Sequence, residues 1–75
     1  MTRAELQALL DAAGITDVTL ENTPHPHIVY IRVCGSAVNQ ARAWAAVANN
    51  GRLALRHTWI DRDTRARVLR VELLG

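Results

Sequence analysis

The spacing of apolar residues switches between helical and strand periods along this chain, and each switch marks an element. Leu6, Leu9, Leu10 and Ala13 recur at helical spacing. They follow Thr2 and Glu5, a pair with the separation of a capping box, in which each residue's side chain satisfies the other's backbone N–H. Gly14 supplies the left-handed position that ends a helix. These signals predict an amphipathic helix over residues 3–13.

From Ile15 the period becomes two. Val18 and Leu20 alternate with Asp17, Thr19 and Glu21, the pattern of a strand with one wet face. Two prolines in Thr23–His27 break the ladder and predict a loop. Residues 28–34, rich in β-branched side chains, predict a second strand. Val29, Ile31 and Val33 fall on one side of it, and Ile28, Tyr30, Arg32 and Cys34 on the other.

Gly35 ends that strand, Ser36 is a candidate N-cap, and an alanine-rich helix is predicted over residues 37–49 before Asn49-Asn50-Gly51 stops it. Its buried stripe is expected to be Val38, Ala41, Trp44, Ala45 and Ala48, with Gln40 and Arg42 nearer water.

The remaining residues read as a β-hairpin, and its register follows from which sides must match. An even loop centred on Arg62-Asp63 would set Leu55 against Arg70 and Leu53 against Glu72, mixing apolar and charged sides. An odd loop of three or five residues centred on Asp63 instead pairs Leu53 with Leu73, Leu55 with Val71, His57 with Leu69 and Trp59 with Arg67. In that register Arg52, Ala54, Arg56, Thr58 and Ile60 share the outer face with Ala66, Val68, Arg70 and Glu72. Arg56 then lies opposite Arg70.

The order is α-β-β-α-β-β in a single domain of residues 1–75. It implies a two-layer α+β sandwich with both helices on one face of a four-stranded sheet and the other face open. The strand order does not follow from the pattern. At 75 residues the chain buries only about 60% of its unfolded surface, so a homodimer would add stability.

Apolar residues make up 49% of the chain and charged residues 21%, as in ordinary folded domains rather than disordered tails. Every basic residue is arginine, a bias that GC-rich codons produce by themselves, so distribution matters more than kind. Residues 1–37 carry two arginines against four acids (−2), and residues 38–75 carry seven against three (+4). Such asymmetry fits a surface that meets an acidic protein or a nucleic acid. The single Cys34 fits a reducing compartment, and the N-terminal residues and hydropathy give neither a signal peptide nor a membrane span. A cytoplasmic protein is expected.

Chemistry-bearing motifs are sparse. There is no glycine-rich phosphate loop and no nucleophile elbow. Asp61 and Asp63 sit among arginines in a turn, where lowered pKa values suit turn chemistry better than acid–base catalysis. His25, His27, His57 and Cys34 are metal-ligand types without metal-site spacing, since the chosen register turns His57 inward and Cys34 outward. Trp44 is expected to plug the core, and Trp59 to pack at a strand end beside Arg67.

The expected function is therefore a small non-enzymatic binding or regulatory module. It would use an open Arg-rich sheet face for protein–protein interaction, as a homodimer, with neither cofactor nor small-molecule substrate. The alternative is a DNA- or RNA-binding protein that uses the same face, with Tyr30 for stacking and arginines for phosphate. The candidate binding residues are Tyr30, Arg32, Arg52, Arg56, Arg62, Arg65 and Arg70.

Overall fold

A computed structural model describes all residues 1–75. Helix α1 (Arg3–Ala12) starts at the expected capping box, with Thr2 Oγ1 accepting from the Glu5 amide and Glu5 Oε1 accepting from the Thr2 amide. Ala13 is its C-cap, and Gly14 follows at φ 73°. Strands β1 (Val18–Asn22) and β2 (Ile28–Val33) form an antiparallel pair. After α2 (Ala37–Ala48), β3 (Leu53–Ile60) and β4 (Arg67–Leu73) form a second one.

The four strands make one antiparallel sheet in the order β1-β2-β4-β3. Helix α2 carries the chain to the far edge, and β4 then fills the space beside β2. Both helices cover one face: Leu6, Leu10, Ala43 and Val47 belong to one buried cluster with Leu20, Val29, Ile31, Val33, Leu53, Leu69 and Val71. The helix–sheet sandwich expected from the element order is thus the fold. No helix is long and apolar enough to cross a membrane.

Two expectations are overturned. The first concerns the rotation of α2, which buries Asn39, Ala43 and Val47, while Val38 is 59% and Trp44 38% exposed. Asn39 provides the physical reason. Its Oδ1 accepts from the Thr16 amide at 3.0 Å, and its Nδ2 donates to the carbonyls of Thr16 (2.6 Å) and Cys34 (3.0 Å). These bonds turn the first turn of α2 toward the loops that flank the sheet. Ala43 and Val47 follow four and eight residues later on the same side. Since α2 is alanine-rich around most of its circumference, hydrophobicity alone left this rotation open.

The second concerns the hairpin. Leu53 pairs with Leu73 and Leu55 with Val71 as expected, but a bulge at Arg56 then shifts the ladder by one residue. His57 faces Arg70, Trp59 faces Val68 and Ile60 faces Arg67, in place of the His57–Leu69 and Trp59–Arg67 pairs. The extra residue also changes the parity of the connection. Six residues, 61–66, separate the strands instead of three or five, closed by the Asp61 amide donating to the Ala66 carbonyl. Thr58 and Ile60 consequently turn to the helix side, while His57 and Trp59 turn to the open face.

Candidate functional site

Cross-strand partners share a face, so the ladders map the open side directly. One row runs Glu21–Tyr30–Arg70–His57 across β1, β2, β4 and β3, the next Thr19–Arg32–Val68–Trp59, and a third Ile28–Glu72–Ala54. Val68 is only 1% exposed although it points away from the helices. Its burial places a small apolar nucleus on this side too.

Aromatic rings lie beside that nucleus. The Tyr30 and Trp59 rings meet edge to face with centroids 5.8 Å apart, and the His57 ring lies 5.4 Å from that of Trp59. Such an edge-to-face pair contributes about 0.5–1.5 kcal/mol beyond its buried area. Tyr30 and Trp59 are half-buried and His57 is exposed, so the cluster keeps surface free for a partner.

Two of the three arginines on this face are occupied. Arg32 Nε donates to Glu21 Oε1 at 2.7 Å, and its Nη1 donates to Asp61 Oδ2 at 2.8 Å. Glu21 first and Asp61 second raise the Arg32 pKa still further. Arg32 in turn holds the Asp61 carboxyl below its ordinary value, assisted by the Asp63 and Thr64 amides. Arg56, the bulge residue, donates through Nε and Nη2 to Glu72 Oε1 at 2.9 and 2.7 Å. It does not oppose Arg70, which stands opposite Tyr30 on one side and His57 on the other. Arg70 is exposed and has no ion pair.

Of the candidate residues, then, Tyr30, Arg32, Arg56 and Arg70 come together on the open face. Arg52 does not: it reaches Glu5 at the start of α1, Nη1 to Oε2 at 3.0 Å. The Glu5 pKa is lowered by the Thr2 amide first and by Arg52 next. Arg62 and Arg65 sit exposed in the β3–β4 loop, with Arg65 at φ 61°. Trp44 is no core plug, and Arg67 stacks over it, Cζ 5.1 Å from the ring centroid, rather than beside Trp59.

His57 and Trp59 are the site residues that simple alternation missed. A signal existed in the odd separation of Leu55 and Ile60, two apolar residues that an unbroken strand would send to opposite faces. No three His, Cys, Asp or Glu side chains are grouped so as to hold a metal ion. His25 and His27 lie with ring centroids 5.7 Å apart, but His25 Nδ1 already accepts from the His27 amide.

Comparison with family models, with curated proteins and with solved structures gives no match for this chain.

Proposed function

We propose that this chain is a small non-enzymatic binding or regulatory module of the cytoplasm that engages a protein, a second copy of itself included, through the open sheet face. The supporting observation is the Tyr30–Trp59–His57 aromatic cluster with the unpaired Arg70 set among it. Aromatic and arginine side chains around a desolvated centre are the usual anchors of protein interfaces.

Charge favours a protein over a nucleic acid. Intramolecular carboxylates occupy Arg32 and Arg56, leaving Arg70 as the face's one unpaired guanidinium. With the exposed loop residues Arg62 and Arg65, at most three phosphate contacts are on offer, a salt slope of about 2 on a single strand and short of the roughly six to ten contacts of firm electrostatic binders. The molecule's broad side, 31 × 26 Å, is comparable with the roughly 800 Å² per partner of a standard interface.

The test combines solution mass across a concentration series with an oligonucleotide titration at low and moderate salt. Self-association weakened by Arg70→Ala and His57→Ala, without salt-sensitive oligonucleotide binding, supports the reading. Tight, steeply salt-dependent binding to a single strand would replace it with the nucleic-acid reading.

A further inference from the structure

The outer side of α2 is a second apolar surface, on the opposite layer from the aromatic cluster. Ala37, Ala41 and Ala45 succeed one another at four-residue spacing. With Gln40, Trp44 and Arg67 they line a groove of about 430 Å³. Val38 adds exposed apolar area on the same helix. A surface helix ordinarily turns charged residues outward, yet α2 carries only Arg42 and no acid.

The groove has a cationic margin. Arg67 reaches it from β4, holding its guanidinium over the Trp44 ring and donating from Nη1 to Thr58 Oγ1 at 3.2 Å. It has no carboxylate partner. Arg42 lies on the other flank of α2. Arg65 is tied to the near flank, its carbonyl accepting from Gln40 Nε2 at 3.2 Å. No acidic side chain lines the groove.

We propose that this groove docks an acidic amphipathic helix of a partner protein, with apolar side chains on the alanine floor and against Trp44 and carboxylates at Arg67 and Arg42. Alanines let two helix axes approach at the short end of the 8–10 Å range. The span from Ala37 to Ala45 is about 12 Å, two helical turns, which matches anchors spaced i, i+4 and i+7. The Arg67 fork is already oriented by Trp44 and Thr58, and a planar guanidinium suits a carboxylate. A second copy fits poorly, because two-fold packing of α2 on itself would bring the cationic flanks together with no acid between them. A nucleic-acid strand would find a single ring, Trp44, already covered by the Arg67 guanidinium, and alanine methyls where successive bases need stacking surfaces.

The experiment titrates the full chain, observed by NMR, with two synthetic helices of about sixteen residues that share a leucine face and carry either glutamate or lysine on its flanks. The glutamate helix is expected to shift the resonances of Ala41, Trp44, Ala45 and Arg67 while leaving Tyr30 and His57 in place. The lysine helix should bind at least tenfold more weakly. Ala41→Glu and Arg67→Gln should each weaken the glutamate helix about tenfold, and Ala41→Glu, at an exposed position, should leave the rest of the spectrum unchanged. The proposal is overturned by absence of shifts at millimolar glutamate helix, by equal binding of both helices, or by shifts confined to the open face. It is equally overturned if the groove resonances respond to protein concentration alone, which would mark a second copy as the occupant, or to single-stranded DNA.

Discussion

Asn39 is the only buried polar residue, and it satisfies three backbone groups on two different loops. Replacing it with leucine keeps an apolar core but strands the Thr16 amide and the Thr16 and Cys34 carbonyls. Leaving such groups unpaired costs about 1–3 kcal/mol. Asn39→Leu should therefore lower Tm by roughly 4–24 °C, given about 4–8 °C per kcal/mol for a domain of this size, and a calorimetric scan checks it. Gly35 stands beside this anchor at φ 84°, where an added Cβ would come 3.4 Å from Asp17 Oδ2 and 3.5 Å from Asn39 Nδ2. Gly35→Ala should also destabilise, chiefly through its backbone conformation, by about 1 kcal/mol or more in urea titration.

Between elements, the rotation of α2 and the bulge in β3 decide which side chains are available. Two neighbouring alanines separate the alternatives for α2. Ala43 is fully buried and Ala41 exposed, so Ala43→Leu should cost about 1–3 kcal/mol by overpacking, whereas Ala41→Leu should stay within about 0.5 kcal/mol. The opposite order in denaturant melts would mean that α2 packs through its Trp44 side. For β3, deletion of Arg56 removes the extra residue and closes the ladder, so that His57 follows Leu55 directly and still faces Arg70. Trp59 should then keep its place opposite Val68, and the contact between the Tyr30 and Trp59 rings should survive in proton NOE spectra; its loss would mean that the two rings depend on the bulge itself. The bulge has a second consequence. It interrupts an exposed edge strand where flat, continuous backbone would invite further strand pairing.

Across the whole molecule, ion pairs tie elements distant in sequence: Arg32 links β1, β2 and the start of the β3–β4 loop, and Arg52 links the start of β3 to α1. The carboxyl groups of Asp61 and Glu5 have native pKa values below their ordinary 3.8 and 4.5, so protonating them is easier in the unfolded chain. Their contribution is thus fully present above those ordinary values, and declines as pH falls through the lowered native ones. Stability measured from pH 6 to pH 2 should fall over the acidic end. Asp61→Asn should flatten part of that fall and leave the profile above pH 5 parallel to the parent's. An identical acid profile in the variant would show that Arg32 gains nothing specific from Asp61.

The sequence by itself determined each element and the face it should bury where one apolar period dominated. The capping box at Thr2–Glu5, the alternation through Val29, Ile31 and Val33, and the Leu53–Leu73 and Leu55–Val71 pairs all stand in the structure. In these segments local pattern and burial agree, so a short window suffices. Tertiary structure alone decided the strand order, the rotation of α2 and the offset after Leu55. Each depends on partners far along the chain: β4 between β2 and β3, Asn39 on Thr16, and Arg56 on Glu72. An alanine-rich helix buries nearly as well in several rotations, and a strand offset by one residue still alternates. Long-range hydrogen bonds and packing then select among arrangements that hydrophobicity leaves nearly equal. The arginine-rich face foreseen from charge became an aromatic face with one unpaired cation for the same reason. Which acids would reach Arg32, Arg52 and Arg56 was set by the folded sheet, not by their positions in the chain.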